Sequence, residues 1–217
     1  MKLDIIIILS GGILLLFLLY YGYKANQKCL LPTKAALSAL FVITALIQPH
    51  PIPSYFHFIL TGLLLCLGGD IFLALPRDKM FRLGLVTFLI GHVFYAIGFF
   101  SAADLSMWTW VGTPIFLGLS GYVYFRIRPH LGAMNVPVLV YIIVITIMLS
   151  GAWSVLGESN LAGIGGVTVF LGASCFYISD LFVARDRFIK KKPINRFIGL
   201  PLYYSGQFLL AFSVGLL

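Results

Sequence analysis

The sequence predicts an all-α fold: a polytopic transmembrane bundle of about eight helices. Three observations predict it. Hydrophobic residues make up 60% of the chain and charged residues only 10%, with a mean hydropathy of +1.02. A soluble domain carries about 25% charged residues. A helix needs roughly 20 apolar residues to cross the hydrocarbon core, so with short loops the chain holds about eight spans. That leaves no room for a soluble domain, and a single membrane domain over residues 1–217 is expected. Finally, the basic residues gather in alternate connections, as the loops of a multi-span protein do.

The spans are placed at 4–22, 32–49, 55–75, 81–101, 107–126, 135–156, 161–184 and 196–216. Lys2 precedes the first, so a secretory signal must be considered. The apolar run from Ile5 to about Tyr21 is too long for a signal core, and no small-x-small cleavage pattern follows it. It reads as a retained helix. The breaks between spans are polar or rich in proline: "KANQK", "QPHPIPS", "PRDK", "SAADLS", "RIRPH", "LGESN" and "ARDRFIKKKPINR". Cys29, Cys66 and Cys175 have neither paired nor metal-type spacing and read as small apolar fillers. No N-x-S/T acceptor marks a glycosylated face.

Charge gives the expected topology. The connections after spans one, three, five and seven hold Lys24, Lys28 and Lys34; Arg77, Lys79 and Arg82; Arg126 and Arg128; and Arg185, Arg187, Lys190, Lys191, Lys192 and Arg196. These are 14 of the 15 basic residues, and the alternate connections hold none. Short cytoplasmic loops collect Lys and Arg. Both termini are therefore expected outside and the basic loops in the cytoplasm, in an inner or plasma membrane. The net charge of +8 follows from topology and anionic headgroups, and nucleic acid has no part in it. "GDIFLALPRDKMF" in span three is echoed by "SDLFVARDRFI" in span seven. Four spans separate them, so a parallel repeat of four plus four helices is possible.

Two carboxylates lie well inside predicted spans, Asp70 and Asp180. Each costs about 2.5–3.5 kcal/mol at mid-membrane on an insertion scale. An acid there marks a functional site by default. The plain alternative is a structural ion pair, Asp70 with Arg77 or Asp180 with Arg187, each two helical turns along. Asp70 precedes Arg77 by seven residues and Asp180 precedes Arg185 by five. At 1.5 Å per residue the acids lie roughly 10 Å and 7–8 Å below the cytoplasmic rim. A lipid chain begins at that depth, with its phosphate above, among Arg and Lys.

Span four adds a polar face. Gly84, Gly91 and Gly98 recur every seven residues, with Phe88, His92 and Tyr95 alongside. The glycines admit a neighbouring helix closely, and His92 is expected to face the bundle interior. Span eight carries "YYSGQ", in which Tyr204 and Gln207 share a face. Ser179 adjoins Asp180, but no base is placed to activate it as a nucleophile. The histidines His50, His57, His92 and His130 fall in separate regions, so metal chemistry has no ligand set.

The segments "GGDIFLA", "FRLGLVTFLIGHVFY", "FYISDLFVA" and "YYSGQFLLAFS", in that order and spacing, resemble the YhhN family of integral membrane lysoplasmalogenases. The resemblance covers most of the chain. It departs in the second span, where the family often has Lys-Pro and this chain has Lys34-Ala35, so a phosphate role for Lys34 is in doubt. It implies hydrolysis of the vinyl ether of a lysoplasmalogen, an alkenyl lysophospholipid with an ethanolamine or choline headgroup. The products would be a fatty aldehyde and a glycerophospho-alcohol. The family's essential acids map onto Asp70 and Asp180. His92, Tyr95, Ser179, Tyr204, Gln207, Lys34 and Arg77 form the expected supporting set.

That chemistry suits two carboxylates. Protonation of the outer alkene carbon gives an oxocarbenium ion, which water captures, and the hemiacetal collapses. One acid donates and the other, ionised, faces the cation, as paired carboxylates do in glycosidases. No metal or organic cofactor is required. Either aspartate can be the donor; the greater depth of Asp70, beside Gly68 and Gly69, favours it as acid and Asp180 as base. The rival class is a small proton-coupled lysolipid transporter, to which two intramembrane acids are also suited.

Overall fold

A computed structural model describes residues 2–158, 161 and 163–217. Eight helices are present among the described residues: α1 (Lys2–Tyr23), α2 (Gln27–Ile47), α3 (Pro53–Ala74), α4 (Asp78–Ala102), α5 (Met107–Ile127), α6 (Asn135–Gly157), α7 (Ile164–Ala184) and α8 (Pro193–Ser213). Each falls on a predicted span, and no strand occurs among the described residues. The expected break at "LGESN" ends on Ser159 and Asn160, which lie outside the described residues, as does Ala162 near the start of predicted span seven.

Local chemistry sets the ends. Asn26 caps α2, its side-chain oxygen accepting the Cys29 N–H at 3.4 Å. The helix therefore begins five residues before the predicted start at 32. Pro53 and Pro193 open α3 and α8, where a missing N–H costs nothing. At the start of α5 the Thr109 hydroxyl reaches back to accept the Ser106 N–H at 3.2 Å. A π-turn at Arg185–Ile189 prolongs α7 before the chain turns into α8.

Six of the eight helices are long and apolar enough to cross a membrane. The other two, α5 and α8, are each 21 residues long but less apolar. In α8 the reason is the interior it faces: Asn195, Tyr203, Tyr204, Gln207 and Ser213 are all buried. In α5 glycines, hydroxyls and Pro114 dilute the apolar run.

Within each half the helices pack in the same order. In each half, the first helix lies on the second, the second on the third, and the third and fourth make the most extensive contact, α3 with α4 and α7 with α8. Between halves, α4 packs on α6 just as α8 packs on α2. When Arg77-Asp78 and Arg185-Asp186 are superimposed in sequence, Gly91 and Gly98 fall on Gly199 and Gly206. These glycines make the close pairs possible. A Cβ at Gly91 would stand 3.2 Å from the Gly62 carbonyl, and one at Gly206 2.8 Å from the Gly172 carbonyl. Most of α1 and α5 keeps large apolar side chains on the outside, such as Ile5, Leu16, Trp110 and Phe125, as lipid-facing helices do. The core is drawn mainly from α2, α3, α4, α6, α7 and α8.

Candidate active site

A cavity of about 830 Å³ opens among the basic connections and reaches down to both intramembrane acids, Asp70 and Asp180. That size suits one lipid-sized molecule. Its walls combine these acids with apolar side chains such as Leu73, Leu85, Phe88 and Ile145.

Asp70 projects from α3 and is 1% exposed. Gly69 precedes it because the Phe88 ring of α4 occupies the space a Cβ would fill, 2.7 Å away. Lys34 of α2 places Nζ 3.0 Å from Asp70 Oδ1. Ser38, one turn along the same helix, donates to Oδ2 at 2.6 Å, and Tyr203 of α8 donates to Oδ2 at 2.6 Å. Three donors from two helices thus converge on one carboxylate, one of them an ammonium. This is the pattern that makes a buried acid tolerable. The network continues through α8. Gln207 Nε2 donates to the Tyr203 hydroxyl at 3.1 Å, and Gln207 Oε1 accepts from Tyr95 of α4 at 2.7 Å. Tyr204 reaches Asp70 only indirectly, its hydroxyl 3.3 Å from Ser38 Oγ.

Asp180 projects from α7 and is half-buried. Tyr141 of α6 donates to its Oδ2 at 2.6 Å. Among the described residues that is the hydrogen bond this carboxyl makes, and no cation pairs with it. The two acids therefore share a cavity but not an environment.

The ion pairs expected of a purely structural reading do not form. Arg187 binds Asp78 rather than Asp180, and Lys34 rather than Arg77 meets Asp70. Lys34, counted from sequence with the loop cations, is buried inside α2 because that helix starts early at the Asn26 cap. Arg77 lines the cavity mouth. Ser179 lines the cavity wall but turns its hydroxyl back to the Phe176 carbonyl at 2.7 Å.

His92 is buried among the rings of Phe176, Tyr141 and Tyr95, with centroids 4.5, 5.3 and 6.3 Å away. Neither ring nitrogen makes a hydrogen bond in good geometry, the Phe88 backbone lying nearby. It thus faces the interior as expected, between the tyrosine that serves Asp180 and the tyrosine that serves the Asp70 network. Among the described residues no three His, Cys, Asp or Glu side chains gather closely enough to hold a metal ion.

Three contacts escaped sequence reasoning. Ser38 sits four residues after Lys34, a spacing that signals a shared face. Tyr203 stands one turn before Gln207; the choice between the adjacent tyrosines needed the helix rotation. Tyr141, in the apolar run "VLVYIIVI", carries no signal at all.

Residues 30–214 match the model of the YhhN family. The chain belongs to the YhhN family. Among relatives, it is similar to lysoplasmalogenase TMEM86A of Homo sapiens, 33% identical over 160 residues, and to its counterpart in Bos taurus, 31% identical over 160 residues; both alignments cover 71% of this chain and 64% of the relative. It is also 28% identical over 178 residues to a lysoplasmalogenase of Mycobacterium tuberculosis, covering 79% of this chain and 64% of the relative. This YhhN chain therefore spans a little under two thirds of the length of the relatives it matches. No solved structure matches it.

Proposed function

We propose that this protein is a lysoplasmalogenase, a membrane hydrolase that cleaves the vinyl ether of an alkenyl lysophospholipid to a fatty aldehyde and a glycerophospho-alcohol. The observation that carries the reading is one cavity, apolar in its walls and basic at its mouth, with two differently paired carboxylates at the depth of a lipid's first chain atoms. The names of the relatives point the same way.

Asp180 is the proton donor in this reading and Asp70 the ionised partner. Depth alone favours the reverse. The hydrogen bonds outweigh depth, because an ammonium and two hydroxyls aimed at Asp70 stabilise a carboxylate. Asp180 has no such cation and keeps an oxygen for a proton. Its proton goes to the outer alkene carbon, and the alkene electron pair forms that C–H bond. The resulting oxocarbenium ion is stabilised by the Asp70 charge in a low-dielectric site. Water adds to the cationic carbon and loses a proton to a carboxylate. The hemiacetal hydroxyl then gives its proton to a carboxylate as the C–O bond to the glycerol breaks, the glycerol oxygen takes a proton from a carboxyl, and the aldehyde leaves. Tyr141 orients Asp180; Ser38, Tyr203, Gln207 and Tyr95 orient Asp70; His92 packs the two groups of tyrosines together.

The substrate enters from the cytoplasmic leaflet of an inner or plasma membrane. One domain over 1–217 crosses that membrane eight times, with both termini outside. Cysteine probes at 188–192, in a chain lacking Cys29, Cys66 and Cys175, react only from the cytoplasmic side; labelling from outside alone overturns the topology.

The test is aldehyde release by the purified protein from a lysoplasmalogen, beside the same lysolipid with a saturated ether. The expected result is release from the vinyl ether alone, lost in Asp70→Asn and in Asp180→Asn. Transport of the lysolipid into proteoliposomes with no aldehyde is the result expected of a proton-coupled carrier and refutes the hydrolase.

A further inference from the structure

The cations around the cavity fall into two sets. Arg187 binds Asp78 and lies over the Phe81 ring, 4.4 Å from its centre. Arg196 pairs with Asp186 at 3.7 Å, and Lys34 is held by Asp70. The other set is Arg77, Lys190 and Lys191. All three line the cavity and are exposed, and among the described residues none has a carboxylate partner. Their neighbours Lys79, Arg185 and Lys192 do not line it.

The unpaired set comes from both sides of the mouth. Arg77 precedes α4, and Lys190 and Lys191 precede α8, the equivalent connection of the second half. The second connection is fastened rather than loose. Asp186 Oδ1 accepts the Lys192 N–H at 3.2 Å and Asn195 Nδ2 at 3.0 Å, and the same Nδ2 donates to the Lys190 carbonyl at 2.9 Å. Asn195 is 2% exposed. The acidic residues of these two connections, Asp78 and Asp186, are each paired with an arginine, so neither neutralises the set.

We propose that Arg77, Lys190 and Lys191 form a phosphate subsite for the lipid whose chain enters the cavity. The proposal rests on the reading of the cavity as a lysolipid site. It gives the phosphate to these three residues and not to Lys34. Arg77 lies three residues beyond the end of α3, which carries Asp70, and Lys190 just beyond the π-turn that follows α7, which carries Asp180; their long side chains span the part of the interval to the acids that a glycerol backbone does not. Its chemistry is charge-assisted hydrogen bonding to a phosphodiester. It therefore selects lysolipids that carry phosphate over alkenyl or alkyl glycerols that lack it.

Equilibrium binding to the full chain, purified in a maltoside detergent that carries no phosphate, tests this. The probes are radiolabelled 1-O-alkyl-glycerophosphoethanolamine and 1-O-alkylglycerol of the same chain length; neither has a vinyl ether, so neither is consumed. The phosphate probe is expected to bind about thirtyfold more tightly, with about threefold lost in each of Arg77→Gln, Lys190→Gln and Lys191→Gln, the scale of exposed ion pairs. The triple variant erases the difference between probes. Lys79→Gln and Lys192→Gln serve as charge-matched controls and change neither probe, and alkylglycerol binding is unaffected throughout. Equal affinity for the two probes, or equal losses in the control variants, overturns the subsite. So does displacement of the probe by equimolar diacyl phosphatidylglycerol, which assigns the cations to bulk lipid headgroups. Phosphate-dependent binding without aldehyde release from a vinyl ether keeps the subsite and overturns the hydrolase; aldehyde release with phosphate-independent binding does the reverse.

Discussion

Replacing Lys34 with Met removes the ammonium from Asp70 while keeping the apolar stem. The Lys34 side chain is 10% exposed and that of Asp70 1%, with 3.0 Å between the charged atoms. Breaking a buried ion pair by deleting one partner costs about 3–5 kcal/mol, because the remaining charge is left uncompensated. Here Ser38 and Tyr203 still donate to Oδ2, each at 2.6 Å. One oxygen stays satisfied, which places the loss near the lower end, about 3 kcal/mol. Adding Asp70→Asn removes the charge itself, and the amide oxygen can still accept from Ser38 and Tyr203. The double variant should therefore be more stable than Lys34→Met alone, with a coupling of about 2 kcal/mol. The assay is reversible unfolding in mixed micelles, followed as a double-mutant cycle. A loss below about 1 kcal/mol in Lys34→Met, or strict additivity in the double variant, would refute the view of Lys34 as the counterion of Asp70.

Tyr141→Phe deletes the hydroxyl that donates to Asp180; aldehyde release should fall about tenfold, about 1.4 kcal/mol and the worth of one neutral hydrogen bond, with stability little changed. An unchanged rate removes Tyr141 from the site. Gly206→Ala places a methyl 2.8 Å from the Gly172 carbonyl and 3.1 Å from the Phe176 amide nitrogen. Backbone cannot rotate away, so α7 and α8 must separate at a cost of about 1–3 kcal/mol. Gly121→Ala, with nothing within 4 Å of the added carbon, is the control, and equal melting temperatures for the two variants contradict the close packing.

Composition, hydropathy and charge order dictate what each segment must do whatever its neighbours: eight helical stretches and the basic connections between them. The two acids were equally legible, because Asp70 and Asp180 are conspicuous in apolar helices at similar depth. Pairing was not legible. Asp70 has a charged partner thirty-six residues earlier in sequence, on α2, and a hydroxyl partner on α8. No local rule selects Lys34 over Arg77, since the choice depends on an N-cap that starts α2 early and on the rotation of α2 against α3. Tyr141 shows the same limit more sharply: only the packing of α6 on α7 turns an ordinary aromatic into the partner of Asp180. A chain in lipid announces its burial and its charges in its own residues. Which buried polar groups meet is a property of helices brought together by glycine contacts, and it exists only once the tertiary structure has formed.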